Sequence, residues 1–291
     1  MKVLVVGATG KLGGEISEKL IARGHTVRAM VRPTSKPDRV ERLRALGAEL
    51  ATAELTDRAS LKEACRGVEG VVSTAIWRTT SAEDLAGHLY VIEAAKDARV
   101  RRFVFVSFTA PVDVECPYRD AKRKFEGRLR ESGVEYTILR PTHFMESWVR
   151  PDEGFEGPRP VWTIYGTGEN KVPWISRHDV AEFAVQALEN PSARNRVIDL
   201  GGPEHLSPLE TVRIFEARIG KKFDVRHISE EELLRRHSIA STPGEKTMTA
   251  LYLNFARGDR IPMTDVLREF PIRLRSVEEY AREIAATSQK K

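Results

Sequence analysis

Cysteine and long apolar stretches are scarce in this 291-residue chain. The only two cysteines, Cys65 and Cys116, do not form a C-x-x-C motif, so the sequence offers no zinc or redox motif and fits a reducing compartment. No run approaches the ~18 apolar residues of a membrane span. The short run before Gly7 is also below the roughly 7–15 apolar residues of a secretory signal. We therefore expect a cytoplasmic protein with no membrane partner and no metal.

Charge of one sign is not in large excess either. Lys and Arg number 47 against 42 Asp and Glu, a net charge of +5. The basic residues are interleaved with acids, as between Arg119 and Glu126, whereas a nucleic-acid binder usually gathers its positive charge on one face. We therefore expect no nucleic-acid partner.

Strand-like and helix-like segments alternate over the first two thirds of the chain. The apolar runs that predict strands are 2–6, 26–31, 48–53, 70–75, 102–107 and 136–140. Helical patterns cover 12–22, 59–66, 85–95 and 118–132. Strands without polar alternation suit a parallel sheet that is covered on both faces. Strict alternation with helices therefore predicts an α/β fold with a doubly wound parallel sheet.

The regular alternation of predicted strands and helices ends after Pro141. A loop at 151–160 leads to two predicted strands, 161–165 and 171–175, and a predicted helix at 179–188 and strand at 196–200 return to the sheet. Helices are expected over most of the remainder, including 276–286, with a capping box opening at Ser207. We assign 1–145 and about 176–200 to a dinucleotide-binding domain. A smaller, mainly helical C-terminal substrate lobe would then hold 146–175 and 201–291.

A glycine-rich turn links the first predicted strand to the first predicted helix. Its sequence is Gly7-Ala8-Thr9-Gly10-Lys11-Leu12-Gly13-Gly14. Gly7 permits the tight turn, Gly10 lets the backbone approach a pyrophosphate, and Gly13 lets the helix pack closely on the strand. The free N–H groups of the helix N-terminus favour the anion. The motif predicts a Rossmann domain that binds a pyridine dinucleotide, with Thr9, Lys11 and Leu12 among its contacts.

A basic residue stands where NAD-specific enzymes usually carry an acid. Arg32 follows Gly13 by 19 residues, and Lys36 is close behind. A carboxylate there would bond the ribose 2′-hydroxyl of NAD, whereas a guanidinium can grip the 2′-phosphate of NADP with two hydrogen bonds. The pattern predicts NADP as the cofactor, the alternative being that Arg32 is an ordinary solvated loop residue.

The spacing G-x-x-G-x-x-G, together with Ala8-Thr9, resembles extended and atypical members of the short-chain dehydrogenase/reductase superfamily. The segment 132–141, S-G-V-E-Y-T-I-L-R-P, with Phe144 and Met145 after it, is similar to the NmrA-like branch, and the likeness covers about residues 1–230. The resemblance implies further cofactor contacts. Leu55 would flank the adenine, Thr74 and Ala75 would lie along the pyrophosphate and ribose, and Pro141 and Phe144 would line the nicotinamide.

Tyr118 and Lys122 form a Tyr-x-x-x-Lys pair, which a helix places on one face. A lysine ammonium beside a tyrosine favours the phenolate and makes it a better acid–base catalyst. Ser107 or Thr109, at the end of the fifth strand, would orient the substrate oxygen, as the resemblance implies. The alternatives are that Tyr118 only packs and that Lys122 belongs to a solvated basic row.

Three residues are candidates for contact with the substrate. His143 follows the sixth strand and could donate a hydrogen bond to a carbonyl, while Trp77 and Met145 could line an apolar cleft. Packing and an ordinary hydrogen-bonded histidine are the alternatives.

The leading hypothesis is an NADP(H)-dependent oxidoreductase that reduces a carbonyl, quinone or activated alkene of a small, flat or apolar substrate. Two hypotheses stay open beside it. One is a redox sensor that binds NADP(H) and signals through a protein partner, and the other is an epimerase or dehydratase that acts on a nucleotide sugar. A homodimer is compatible with each.

Overall fold

The computed structural model describes residues 1–75, 82–155 and 159–288, with the backbone alone for 82–84 and 288. Trp77 lies outside the described residues. The chain forms two compact units. The first consists of Met1–Phe108, Tyr118–Arg140 and Val180–Ile198, and the second of Thr109–Pro117, Pro141–Asp179 and Asp199–Lys291. The segment Thr109–Pro117, expected in the dinucleotide domain, thus clusters with the second unit.

Eight of the nine strands of the described residues match predicted apolar runs closely, the exception being the strand Asp224–Ile228. They are β1 (Lys2–Val6), β2 (Thr26–Val31), β3 (Glu49–Thr52), β4 (Gly70–Ser73), β5 (Arg102–Val106), β6 (Tyr136–Pro141), β7 (Val161–Tyr165), β8 (Arg196–Leu200) and β9 (Asp224–Ile228). Every residue of β4 and β5 is buried, as expected for strands that are covered by helices on both faces.

Seven strands form one sheet in the order β3-β2-β1-β4-β5-β6-β8. The chain moves outward from β1 to β3 and then resumes on the other side of β1 with β4, and both neighbours of β1 run parallel to it. The order and the parallel pairs confirm the predicted Rossmann sheet. In such sheets ligands bind outside the carboxyl ends of the strands, where the strand order reverses. In this molecule that point is the end of β1 and β4.

The helices are α1 (Lys11–Ala22), α2 (Pro37–Ala45), α3 (Arg58–Cys65), α4 (Ala82–Asp97), α5 (Pro117–Glu131), α6 (Met145–Trp148), α7 (Arg177–Glu189), α8 (Pro208–Ile219), α9 (Glu230–Ile239), α10 (Pro243–Arg257), α11 (Thr264–Glu269) and α12 (Val277–Ser288). Their starts follow local chemistry. Asp57 caps α3, and Ser207 and Thr242 open α8 and α10 with capping boxes that satisfy otherwise free N–H groups.

The second unit departs from the predicted strands at two places. The segment 171–175 is not a strand: Val172 and Ile175 form only isolated bridges, to Leu206 and Phe144, and Pro173 between them has no N–H to give to a ladder. The strand β9 was not predicted, and it pairs in parallel with β7. Its sequence, Asp-Val-Arg-His-Ile, is mostly exposed and lacks the apolar alternation that marks a strand.

Candidate active site

The glycine turn between β1 and α1 brings backbone against backbone. Gly7 has a φ of +87°, and a Cβ on it would lie 2.8 Å from Oγ1 of Thr74. A Cβ on Gly13 would lie only 2.3 Å from the carbonyl oxygen of Gly7. Such distances are shorter than carbon–oxygen contact allows, so the turn requires glycine at both positions. The two glycines therefore let α1 and the end of β4 pack directly against the turn.

The N-terminus of α1 points its N–H groups at this turn. Gly10 is the N-cap residue, and no side chain among the described residues caps the helix or places an acid in its first turn. Thr9 and Leu12 are half-buried, and Lys11 is exposed. The free N–H groups and the positive end of the helix dipole suit a phosphate group.

Three cations gather in the loop after β2 and in the first turn of α2. Arg32 closes a turn with Ser35, whose N–H donates to the Arg32 carbonyl at 2.9 Å. Lys36 is the exposed N-cap residue of α2. Arg39, which sequence reasoning missed, donates from Nη1 to the Thr9 carbonyl at 3.0 Å. Arg39 therefore ties α2 to the glycine turn, and only recognition of α2 in the sequence could have pointed to it.

The end of β4 adjoins the end of β1. Thr74 donates to the Val6 carbonyl from its N–H at 2.9 Å and from Oγ1 at 3.2 Å. Ala75 and Leu55 are half-buried and pack against the core of the first unit. The predicted cofactor residues of the first unit thus lie at or just beyond the carboxyl ends of β1 to β4.

Lys122 lies on α5 and reaches the carboxyl end of β5. Its Nζ donates to the Val106 carbonyl at 2.9 Å and stands 4.9 Å from the centre of the Phe105 ring. Burial of the ammonium lowers the pKa of Lys122 to about 7, against the opposing attraction of Glu126. Lys124, two residues on, is exposed. The solvated alternative for the basic row therefore holds for Lys124 and not for Lys122.

A buried carboxylate, missed in the sequence, stands one turn after Lys122. Glu126 is 1% exposed and forms ion pairs with Arg123 and Arg140. Ser107 donates from Oγ to Glu126 Oε1 at 2.6 Å. Burial raises the pKa of Glu126, but hydrogen bonds from Arg140 and Ser107 outweigh it and hold that pKa below its ordinary value. The Ser107 hydroxyl therefore donates to this cluster, and its role toward a substrate stays a prediction.

Arg123 connects the Glu126 cluster to the chain that follows β5. It donates from Nη1 to Ser107 Oγ at 3.2 Å and from Nη2 to the Phe108 carbonyl at 2.9 Å. Tyr118, half-buried, stands on α5 one turn before Lys122. The predicted Tyr-x-x-x-Lys pair therefore lies on one helix beside the end of β5.

The second unit holds the other predicted residues. Thr109 is buried and donates its N–H to the Pro141 carbonyl at 3.0 Å. Phe144 precedes α6. Met145 is wholly buried in the hydrophobic core of this unit, so it presents no surface to a ligand in this conformation.

His143 lies within a group of aromatic rings in the second unit. Its ring centre is 4.8 Å from that of Trp148 and 5.9 Å from that of Phe255, both in edge-on geometry. Burial lowers the pKa of His143 to about 4, so the imidazole is neutral at pH 7. A neutral histidine among aromatic rings can donate a hydrogen bond without bringing a charge into an apolar environment.

Two other kinds of site were sought in the part of the chain that the structure describes. Within 1–75, 82–155 and 159–288 no group of three or more His, Cys, Asp or Glu side chains is placed to hold a metal ion. No helix in these ranges is both long and apolar enough to cross a membrane.

Comparison with known proteins gives one family and a consistent set of relatives. The model of the NmrA-like family matches residues 1–281. A phenylcoumaran benzylic ether reductase of Ginkgo biloba is 27% identical over 276 residues, 89% of this chain and 88% of that protein. A probable pinoresinol-lariciresinol reductase of Arabidopsis thaliana is 27% identical over 270 residues, 89% of this chain and 86% of that protein.

Solved structures with a similar fold include a plant reductase with its cofactor bound. The structure of the leucoanthocyanidin reductase–NADPH binary complex from Vitis vinifera superposes with a TM-score of 0.82 at 19% identity. The match covers 98% of this chain and 100% of that one.

Proposed function

The chain belongs to the NmrA-like family, and from that premise we propose that it is an NADP(H)-dependent oxidoreductase. It reduces a carbonyl, quinone or activated alkene of a small, flat or apolar substrate. The reductases named among its relatives support this reaction class, and the NADPH complex of its structural neighbour supports the cofactor.

One observation carries the proposal: Lys122 has a pKa of about 7 and lies at the same sheet edge as the glycine turn. Its Nζ bonds the last residue of β5, and β5 is separated from β1 only by β4. All of these groups belong to the first unit. An acid–base group thus stands next to a phosphate-binding turn, as a dinucleotide-dependent reaction requires.

The residues of the first unit fit NADP. Gly7 and Gly13 allow the tight turn and its packing, Gly10 lets the backbone approach the pyrophosphate, and the N-terminus of α1 supplies the N–H groups. The 2′-phosphate is assigned to Arg32, Lys36 and Arg39, which together bring three positive charges. Leu55 flanks the adenine, and Thr74 and Ala75 follow the pyrophosphate and ribose. The roles of Thr109, Pro141, His143, Phe144 and Met145 stay predictions.

The nicotinamide supplies a hydride when NADPH is bound, and the protein must supply or hold a proton. Burial lowers the pKa of Lys122 to about 7, so both its protonated and its neutral form are accessible near neutral pH. One of its three N–H groups bonds Val106, and the other two remain for a ribose hydroxyl and for Tyr118 or a substrate oxygen. We assign Lys122 the proton transfer and Tyr118 the relay to the substrate.

The test is NADPH consumption with quinones, aldehydes, ketones and enones as acceptors. Fluorescence titration first establishes that each variant binds NADPH. We expect Lys122→Met to lower kcat by about 10²–10⁴-fold, the usual contribution of a general acid, and Tyr118→Phe to lower it by a similar factor, because the relay then lacks its hydroxyl. Lys124→Met, a neighbouring exposed lysine, is the matched control and should keep full activity.

Two outcomes would contradict the proposal. Turnover by Lys122→Met at the wild-type rate would remove the proton-transfer role. Tight NADPH binding by the wild type with no turnover on any acceptor would instead favour the redox sensor, and a search for a protein partner would follow.

A cytoplasmic location is part of the same proposal, because Cys65 and Cys116 are both free and buried. Whether the protein forms a homodimer stays a prediction.

A further inference from the structure

A cavity of about 830 Å³ opens in the first unit, among residues that precede β5 and β6. Its lining includes Arg101 and Arg102 at the start of β5, and Val134 and Glu135 just before β6. The glycine turn and Lys122 lie at the carboxyl ends of the strands, so this cavity is at the opposite edge of the same sheet. No step of the proposed reaction uses it.

The cavity is positively charged. Its lining carries two acidic side chains, Glu135 and Glu189, and five basic ones: Lys96, Arg99, Arg101, Arg102 and Arg194. Glu189 is also engaged by Arg23 and His25, which are not part of the lining.

Glu135 is shared between two arginines, and two further basic side chains of the lining have no carboxylate partner in the described part of the chain. Oε2 of Glu135 faces two guanidinium groups, Arg102 at 3.6 Å and Arg194 at 3.5 Å. Lys96 and Arg99 form no ion pair with any described residue within 4.0 Å. The carboxylates therefore do not balance the cations.

Arg102 is the unusual member of the set. Its side chain is 8% exposed, and its Nη1 has no hydrogen-bond partner among the described residues. A buried guanidinium donor without a partner is costly. Burial and the nearby charges of Arg194 and Arg101 lower the pKa of Arg102, which shows that like charges crowd here.

Helix ends account for only some of these cations. Lys96 lies in the last turn of α4 and Arg99 just beyond it, where a positive charge complements the helix dipole. Arg101 has Glu69 as a partner. Arg102, which is buried on a strand, and Arg194 are at the end of no α-helix and, among the described residues, have only the one carboxylate of Glu135 between them, at 3.6 and 3.5 Å. An anion in the cavity would satisfy both.

We propose that this cavity is a second ligand site, for a small molecule that carries phosphoryl groups. Guanidinium groups bind phosphoryl oxygens with paired hydrogen bonds, and a phosphate monoester brings about −1.5 to −2 charges at neutral pH. The lining offers a net +3 when both carboxylates are ionised. The volume of about 830 Å³ falls in the range of small-molecule pockets.

The experiment is a calorimetric titration of inorganic pyrophosphate, with and without saturating NADP⁺ to keep the glycine turn filled. We expect one-to-one binding that persists with NADP⁺ and weakens as salt is added. Arg102→Gln and the double variant Arg99→Gln/Arg194→Gln should each weaken it at least tenfold. The double variant changes two exposed side chains, so it tests the site even if Arg102→Gln does not fold.

Arg128→Gln, at an exposed arginine of α5 paired with Glu131, is the charge-matched control for Arg102→Gln. Arg128→Gln/Arg268→Gln, which adds an exposed arginine paired with Asp265, is the control for the double variant, and both should bind normally.

Equal affinity in the double variant and in Arg128→Gln/Arg268→Gln would overturn the proposal, because it would reduce the binding to general surface charge. Loss of all pyrophosphate binding when NADP⁺ is added would do the same, since the anion would then occupy the glycine turn. If citrate bound more tightly than pyrophosphate, the cavity would be a polycarboxylate site and the assignment to a phosphoryl ligand would be wrong. These outcomes are independent of turnover, so they do not depend on the proposed reductase activity.

Discussion

At the scale of single residues, exposure separates neighbours that look alike in the sequence. Lys122 and Lys124 belong to one basic row, yet the ammonium of Lys122 is buried against Val106 and Phe105 and Lys124 is exposed. Glu126 was missed for the same reason, since a carboxylate among arginines on a helix is typical of a solvated surface. The packing of the helix decides which side chain of such a row is buried. The spacing of the residues in the sequence does not.

Burial of Lys122 should also be visible in the stability of the protein. The folded-state pKa is lowered to about 7 from 10.5, so the unfolded chain binds an extra proton between these values and the fold loses stability as pH falls from 10.5 towards 7. We expect Lys122→Met to raise the Tm at pH 7 by a few degrees, at about 2–4 °C per kcal/mol. Thermal melts at pH 7 and pH 10 measure this.

The gain in Tm from Lys122→Met should shrink at pH 10, because the penalty for losing the proton on folding becomes small as the pH approaches the ordinary lysine pKa of 10.5. Lys124→Met should leave the Tm unchanged at both pH values. A gain that is equal at pH 7 and pH 10 would mean that better packing, and not the charge, is responsible.

Arg32 and Arg39 decide the choice between NADPH and NADH in our proposal. Each charge-assisted hydrogen bond contributes about 1.5–3 kcal/mol, so Arg32→Ala and Arg39→Ala should each weaken NADPH binding by roughly 10–100-fold and leave NADH binding nearly unchanged. Arg42→Ala is a suitable control, because Arg42 is an exposed residue of α2 that pairs with Glu18. Fluorescence titration with both cofactors measures the ratio, and an unchanged ratio in both variants would reject the assignment.

At the scale of elements, the sequence predicted best where a strand carries its own run of apolar and strand-forming residues. The strands β1, β2, β7 and β8 have their predicted bounds. Prediction failed in the second unit, at 171–175 and at β9, where pairing depends on partners far along the chain. An exposed strand such as β9 carries little apolar signal of its own, and its contact with β7 is what orders it.

Two neighbouring glycines of α1 allow a controlled test of the turn. A Cβ on Gly13 would lie 2.3 Å from the Gly7 carbonyl oxygen, whereas one on Gly14 would lie at an ordinary 3.5 Å from the Ala8 carbonyl oxygen. Gly13→Ala should therefore lower the Tm and abolish NADPH binding. Gly14→Ala should keep binding and can gain up to about 1 kcal/mol from helix propensity. Normal NADPH binding by Gly13→Ala would contradict the close packing at the turn.

At the scale of the whole molecule, strict alternation of strands and helices was enough to predict the sheet and its parallel pairing. The order β3-β2-β1-β4-β5-β6-β8 was not itself predicted, because right-handed crossovers fix the face on which each helix packs and not the point at which the strand order reverses. The sequence did not predict that Thr109–Pro117 would cluster with the second unit. No pattern of apolar residues marks that segment, and only its tertiary contacts assign it.

Cofactor binding should raise the stability of the whole chain. A ligand present at 100 times its Kd stabilises the folded state by about 2.7 kcal/mol, which corresponds to a rise of roughly 5–10 °C in Tm. We expect NADP⁺ to give such a rise in differential scanning calorimetry and NAD⁺ at the same concentration to give much less. An equal rise with both would show that the 2′-phosphate is not recognised.

The pairing of β7 with β9 also sets a waiting time during synthesis. Tyr165 ends β7 and Asp224 begins β9, and ribosomes add about 5–20 residues per second. The newly made β7 segment therefore waits roughly 3–12 seconds for its partner strand. Its sequence, Val-Trp-Thr-Ile-Tyr, is uncharged and rich in strand-forming residues, the kind that associates with other exposed strands. Slow translation between residues 165 and 224 would lengthen that interval, so the nascent chain should depend most on chaperones at this stage.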